Sequence, residues 1–418
     1  MPKPNRRPFA LKVTVLAVLA LLLGVGCEQV SPAVFWPAVF GAMLVPALLL
    51  AVAGLLLYWL RRNWRMSALL GVLLALLGPQ VQRGLALHPF FFAALNEELG
   101  MRNEELETAT RPGTATSTTP SAVAIPHSSF FISHSKKDLT LLSANVRIFN
   151  VYAQLRDADN HSSKAFIKWL AESPADIICL QEFYHEPQGS RENGDVFRAA
   201  QRIGPAAGRQ AFVSKTLTNR IGAEFGLAIF SRYPIVRKGV IAFGKLTQNH
   251  AMWADVARPA RPGARPDTVR VFNLHLQSMS LAEADIVAAA TTRAGLRQKA
   301  AGLLRRFRNG AVARAHQTDT LVARLARSPY PVLLAGDLND LPYSYAYDQL
   351  ADRLQNAWAS TGTGLGATYH GQLPGLRIDQ QFASSAWQIL GCRVHREIPW
   401  SDHFPVEGVY RLRDAALN

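Results

Sequence analysis

The sequence predicts a large α/β domain preceded by three membrane-spanning helices, on three observations. Three long apolar runs without a charge occupy the first ninety residues. After residue 138, short apolar strands alternate with segments of helical spacing. Several of those strands finish in an acid, an amide or a histidine, and open α/β sheets place their chemistry at such carboxyl ends.

The apolar runs are residues 13–26, 34–60 and 66–82, against the roughly 17 to 25 residues that a spanning helix needs. The second meets that length outright, the first with Phe9 to Lys12 included, the third with Leu85 and Leu87. Lys3, Arg6, Arg7 and Lys12 make the start basic, and Arg61, Arg62 and Arg65 lie between the second and third runs. The stretch around Glu28 has no base. The positive-inside tendency then puts the N-terminus and the Arg61 turn in the cytoplasm and everything after about residue 88 outside it. The localisation expected is a multi-pass membrane protein whose globular region is extracytoplasmic. A basic region, an apolar run and "GVGC" ending at Cys27 also resemble a lipoprotein signal, and that reading leaves the later residues on the same side.

Past the spans the chain turns polar, and "TATRPGTATSTTPS" at 108–121 has the composition of a flexible linker. The organisation expected is a membrane unit over 1–90, a linker over 91–137 and a globular domain over 138–418. Cys27, Cys179 and Cys392 are too few for a disulfide framework and have no zinc-site spacing. Cys179 reads as a small core residue, with a Cys179–Cys392 bridge left open. The net charge of +15 favours anionic partners. Much of it punctuates a helical pattern over 293–327, which reads first as a solvated face and alternatively as a phosphate-tracking surface.

The strand ends follow in chain order. "LTLLSANVRIFN" (139–150) alternates like a half-buried strand and presents Asn145. "SKAFIKWLAES" (163–173) has helical spacing, with Phe166, Ile167 and Leu170 facing inward. "ADIICLQEFY" (175–184) ends at Gln181 and Glu182. "GLAIFSRYPI" (226–235) is a strand closed by Tyr233 and Pro234, and "VRVFNLHLQS" (269–278) ends in Asn273, His275 and Gln277. In "PVLLAGDLND" (331–340) the apolar run stops at Gly336 and Asp337, Asn339 and Asp340 follow. "RIDQQFAS" (377–384) contains Asp379, and "PWSDHFPVEGVY" (399–410) sets Asp402 and His403 before the last strand. Any one of these has a plain explanation, because Asp, Asn and Pro form turns and a lone Glu caps. Together they make an oxygen-rich, sulfur-free constellation, which suits Mg²⁺ or Mn²⁺ better than zinc.

The series Asn145, "LQE" to Glu182, "NLHLQS", "GDLND", "RIDQQF" and "SDHFP" resembles the endonuclease/exonuclease/phosphatase superfamily over roughly residues 138–412. Its members include DNase I-like nucleases, inositol-polyphosphate 5-phosphatases and sphingomyelinases. Three spans before such a domain resemble membrane-bound bacterial members, which implies a multi-pass protein of the bacterial inner membrane with a periplasmic domain. The resemblance implies a four-layered α/β sandwich, with two mixed sheets face to face and helices outside. It implies Glu182 as a metal-ligating carboxylate, Asn145 as the amide that helps to hold the metal-bound oxygens, and Asp402 as a further metal-site acid. Asp337 matches the aspartate that orients or deprotonates the attacking water, and Asn339 the amide that contacts phosphate; two residues apart on an extended segment, their side chains are expected to project to the same side. His403 matches the histidine that stabilises the charged transition state, Asp379 the acid that orients it, and His275 a phosphate-binding histidine. Gln380 and Gln381 stand where relatives carry an aromatic and an aliphatic residue, so the packing expected there is altered.

The function expected is a membrane-anchored, Mg²⁺- or Mn²⁺-dependent phosphodiesterase or phosphomonoesterase, acting by in-line attack of water. Nucleic acid, phospholipid head groups and inositol phosphates all fit as anionic substrates. The "NLHLQS" histidine leans away from abasic-site nucleases. The alternative is a membrane-tethered binding module for phosphorylated ligands that does not turn over. No obligate protein partner is indicated.

Overall fold

The computed structural model describes residues 7–86, 138–152, 155–244, 249–258, 267–278, 293–371 and 375–413. The expected linker over 91–137 lies outside the described residues. Ahead of it, α1 (Arg7–Glu28), a short α2 (Pro32–Phe35), α3 (Ala38–Leu60), α4 (Trp64–Leu76) and α5 (Gly78–Gly84) follow in turn. Phe9–Glu28 and Ala38–Leu60 are each long and apolar enough to cross a membrane. Their outer faces carry exposed Leu23, Leu50 and Leu57, as helices solvated by lipid rather than water do. A polar pair ties them, Trp59 Nε1 donating to Thr14 Oγ1 at 2.9 Å.

The third expected span is a broken one. α4 and α5 meet at a bend of 67°. Pro79 stands in the first turn of α5, where its missing N–H and its clash with the preceding backbone stop α4 from continuing. Among the described residues, two helices are therefore long and apolar enough to cross a membrane, or three if the bent pair counts as one.

From residue 138 the chain builds two six-stranded sheets. The strands are β1 (Asp138–Asn145), β2 (Ile177–His185), β3 (Gln210–Thr218), β4 (Glu224–Ser231), β5 (Ile235–Ala242) and β6 (His250–Arg258). They continue as β7 (Asp267–His275), β8 (Val332–Asp337), β9 (Gln355–Asn356), β10 (Asp379–Ala383), β11 (Trp387–Val394) and β12 (Val406–Leu412). One sheet runs β11-β12-β1-β2-β4-β3 and the other β5-β6-β7-β8-β10-β9. Both are mixed, since β1 pairs parallel with β2 and β7 parallel with β8, the remaining pairs being antiparallel.

The sheets pack face to face through Leu139, Leu141, Ile177 and Cys179 on one side and Val269, Val271, Leu333 and Ala335 on the other. Outside the first sheet, α6 (His161–Glu172) buries Phe166, Ile167 and Leu170 against Leu142, Ile178 and Leu180, with Ala199 and Ile203 of the short α7 (Ala199–Ile203) in the same core. Each such side chain contributes about 1.5–3 kcal/mol of burial. Outside the second, α8 (Arg293–Leu325) and α9 (Tyr345–Ala351) cover Phe272, Leu274 and Leu334. The result is the four-layered sandwich, helix on sheet on sheet on helix.

Two local expectations change. β1 is buried along nearly its whole length rather than on one face, because it lies between β12 and β2 with a core on either side. Cys179 and Cys392 are both buried and free, without a bridge. The exchange of apolar residues for Gln380 and Gln381 is absorbed by hydrogen bonds. Gln381 Nε2 donates to the carbonyls of Leu141 and Val406 at 3.1 and 2.8 Å, and its Oε1 accepts from the Tyr410 hydroxyl at 2.6 Å. The amide thus clamps one sheet to the other beneath Asp379.

Candidate active site

The site forms where β1, β2, β7 and β8 end side by side, because parallel pairing brings equivalent ends together. His275 is in register with Asp337, and Asn145 with Gln181. The first residue of β10 and the segment before β12 close it from the other side, since Asp379 pairs with Asp337.

Asp337 is the hub. Its Oδ1 accepts a 2.7 Å hydrogen bond from the backbone N–H of Asn339, so the turn chemistry of "GDLND" is real. Its Oδ2 faces the site, 3.0 Å from Asn145 Nδ2, 3.6 Å from His275 Nε2 and 4.0 Å from His403 Nε2. One carboxylate thus serves both readings, with one oxygen in the turn and the other in the cluster. Gly336 lets β8 come this close to β7, for a Cβ there would stand 2.0 Å from the carbonyl oxygen of Leu274.

Glu182 enters by a different device. A β-bulge interrupts the pairing of β2 with β4 between Leu180 and Phe183, and Glu182 adopts φ 48°. That left-handed residue turns the carboxylate out of the strand to the rim, where its Oε1 accepts from Asn145 Nδ2 at 3.1 Å. Gln181 points inward instead, its Nε2 donating to Asn273 Oδ1 at 2.7 Å between the sheets. Strand-end amides at these two positions are therefore core clamps rather than site groups.

His403 is buried, and its Nδ1 meets Asp379 Oδ2 at 2.8 Å. Burial alone would lower its pKa, but the charge and hydrogen bond of Asp379, with Asp337 and Asp402 beyond, carry it up to about 10. Burial pushes the Asp337 carboxyl upward, Asp379 adds to this, and His403 and His275 oppose it. Asp337, Asp379 and His403 offer atoms within 4.8 Å of one another, a spacing that could hold a cation. His403 is a poor ligand there, because its Nδ1 is spent on Asp379 and a protonated ring repels a cation.

Asn339 differs from expectation. It is not extended beside Asp337 but left-handed, with φ 51°, and its Nδ2 donates to the Leu276 carbonyl at 3.0 Å. It ties the end of β8 to the end of β7. Asp340 turns away to an ion pair with buried Arg314 at 2.8 Å. Asp402 stands at the rim, paired with Arg147 Nε at 3.1 Å, and makes neither a hydrogen bond nor an ion pair to Glu182 or Asp337. Asn145, Glu182, His275, Asp337, Asp379 and His403 are thus brought together, with Asn339 and Asp402 beside them.

Two further residues line the site that sequence patterns did not single out. Arg147 follows Asn145 on a run of left-handed residues, 147–150, that swings its guanidinium back to Asp402. The Tyr369 ring meets His403 edge-on at 5.0 Å. The basic residue two places after a strand-end amide was the available signal for the first; the second lies in an irregular loop without one.

Residues 148–403 match the model of the endonuclease/exonuclease/phosphatase family, and residues 7–84 match a domain of unknown function. No curated protein matches the chain. Among solved structures, an endonuclease/exonuclease/phosphatase from Beutenbergia cavernae is 21% identical, covering 66% of this chain and 72% of its own at a TM-score of 0.44. The human Nocturnin catalytic domain with bound sulfate is 16% identical, covering 66% and 94% at 0.44. A mannosyl-6-phosphatase of Bacteroides thetaiotaomicron is 16% identical, covering 65% and 99% at 0.41. Since the family model spans more than half of the residues, from just after β1 to His403, the chain belongs to the endonuclease/exonuclease/phosphatase family.

Proposed function

We propose that the protein is a membrane-anchored, divalent-metal-dependent phosphoester hydrolase that activates water at Asp337. The observation that carries this is the convergence on one buried carboxylate oxygen of Asn145, His275 and His403, from three separate segments. In this reading residues 1–90 form the membrane unit and 138–418 the catalytic domain.

The donor set fits Mg²⁺ or Mn²⁺, being carboxylate and amide without sulfur. Glu182, at the rim, would hold the ion with Asn145 orienting its carboxylate and Asp402 nearby. When bound, the ion neutralises phosphate charge and polarises a phosphoryl oxygen. The chain's own groups do the rest. Asp337 Oδ2 orients the water and takes its proton, a task suited to a carboxyl whose burial raises its pKa. The His403 imidazolium, fixed by Asp379, stabilises charge on the phosphoryl oxygens and His275 binds beside it. Asn339, through Leu276, positions the two strand ends, with its second amide hydrogen toward phosphate.

The membrane geometry supports an extracytoplasmic site in the bacterial inner membrane. α3 carries the chain 23 residues from the catalytic domain to the Arg61, Arg62 and Arg65 turn, enough to cross a bilayer. The basic turn then lies on the cytoplasmic side and the domain on the other.

Hydrolysis of bis-p-nitrophenyl phosphate by the full-length protein, titrated with Mg²⁺, tests the proposal. Turnover should require the cation. Glu182→Gln should be partly rescued by more Mg²⁺, whereas Asp337→Asn should lose roughly 10²- to 10⁴-fold at any concentration. Phosphate-ester binding without turnover would instead mark a tethered binding module.

A further inference from the structure

The catalytic end of the sandwich is also the end that meets the membrane helices. Arg314 on α8 donates from Nη1 to the Gln277 carbonyl at 3.0 Å, and Gln317 Oε1 accepts from the Gln277 N–H at 2.8 Å. These α8 residues are therefore level with the ends of β7 and β8. Toward its C-terminus α8 covers the sheet, through Leu321 and Leu325. Toward its N-terminus it continues past the strand ends, and Phe307 stands seven residues beyond Arg314, about 10 Å along the helix. There its ring stacks on Phe40, in the first turn of α3, with centroids 5.3 Å apart.

A second joint fixes the same geometry from the loop after β8. The Tyr343 hydroxyl donates to the Gln80 carbonyl at 3.0 Å, seated where any side chain on Gly84 would overlap it. Arg83 of α5 bridges Glu28, the last residue of α1, at 2.7 Å and Asp348 of α9 at 2.8 Å, with little exposure. Asp337 is six residues from Tyr343, a reach of at most about 20 Å. Beside the joint, α8 exposes Leu304, Arg305 and Arg308, an apolar stem and two cations at the level where α3 begins. Lipid head groups occupy that level in a bilayer, and anionic ones attract such residues.

From this placement we infer that the substrate is an amphipathic phosphate ester lying in the protein's own membrane, presented to the site by the adjacent leaflet. The inference rests on the phosphoester-hydrolase reading above and adds its substrate class. The water oxygen forms the new bond to phosphorus and the bond from phosphorus to the lipid's alcohol oxygen breaks. One water proton passes to Asp337, and the leaving oxygen takes up a proton to become the free alcohol. A soluble polymer would have to enter between the domain and the bilayer.

The test uses full-length protein in vesicles of phosphatidylethanolamine, phosphatidylglycerol and phosphatidic acid with Mg²⁺. Release of water-soluble phosphate compounds is measured from the protein's own vesicles and from protein-free vesicles mixed with them. Bis-p-nitrophenyl phosphate and a single-stranded oligonucleotide serve as soluble substrates. Lipid in the same bilayer should turn over roughly tenfold or more faster than lipid in the separate vesicles, and faster than the oligonucleotide. Equal rates on both vesicle populations, or faster oligonucleotide cleavage, overturn the substrate class while aryl-ester hydrolysis leaves the enzyme reading standing. Failure on every substrate overturns both. Independently of activity, a fluorophore on Leu304→Cys should be quenched by a lipid-borne quencher and one on Arg327→Cys should not. Equal quenching at the two positions overturns the orientation.

Discussion

His395 and His403 sit eight residues apart on either side of the last loop, and by most measures they are alike. Both are buried, at 7% and 6% exposure, both are held by carboxylates, and both meet an aromatic ring edge-on, Trp169 at 5.4 Å and Tyr369 at 5.0 Å. The difference is the second ring nitrogen. His395 spends Nδ1 on Glu397 and Nε2 on Glu407, each at 2.8 Å. His403 spends Nδ1 on Asp379 and directs Nε2 toward Asp337 at 4.0 Å, beyond hydrogen-bond reach. A histidine with both nitrogens closed is a clamp. One with a nitrogen held toward a second carboxylate, in a cluster with His275 and Asn145, has a donor left for a phosphoryl oxygen. Burial and a carboxylate partner therefore do not separate the two; the remaining nitrogen does, and the role proposed for His403 rests on it.

That contrast breaks first at the carboxylates. Asp379→Asn should lower kcat roughly 10²-fold with KM little changed, since it disturbs the ring that the proposed mechanism uses in the transition state. Glu407→Gln, the matching change at the clamp, should leave turnover near native. Parallel steady-state kinetics on bis-p-nitrophenyl phosphate check the pair, and similar losses in both would erase the distinction.

The clamp should show itself in stability. His395→Gln removes buried hydrogen bonds to charged groups and should cost about 1–3 kcal/mol. Burial by itself would lower the His395 pKa, but the hydrogen bonds of Glu397 and Glu407 raise it above its ordinary 6.5. A raised histidine contributes fully below that value and loses its contribution as pH climbs through the folded pKa. Glu397 is buried enough to be raised, yet His395 brings it below its ordinary 4.5, so its share is lost as pH falls through the lowered folded pKa. The stability gap between wild type and His395→Gln should thus be widest between about 4.5 and 6.5 and shrink at alkaline pH. Thermal unfolding of both proteins across pH, in detergent, checks this; a gap that widens with pH contradicts it.

The two histidines also show how far the sequence could be read. Both follow or precede a strand end and both have an acid within two residues, so spacing alone selects either. The resemblance carried by "SDHFP" chose His403. The central strands β2 and β8 were legible because Ile177–Leu180 and Val332–Ala335 are buried on both faces and so read as apolar runs. The edge strands β3 and β5 were not, being largely exposed, with Lys215, Arg237 and Lys238 interrupting their apolar residues. Glu182 was legible as a strand-end acid but not the bulge that aims it, because a left-handed Glu has no composition signal. The same holds for Asn339, whose left-handed turn replaced the expected extended pair. The bend at Pro79 was written in the chain, yet an apolar count over 66–82 passes over a single proline.

The most direct measurement is turnover of bis-p-nitrophenyl phosphate at saturating Mg²⁺ by the wild-type protein, His403→Gln and His395→Gln, assayed together with each variant's folding verified. A donor aimed at transition-state charge is worth roughly 10²- to 10³-fold, so His403→Gln should fall by that factor while His395→Gln turns over at the wild-type rate. Near-native turnover by folded His403→Gln, or an equal loss in both variants, would contradict the account.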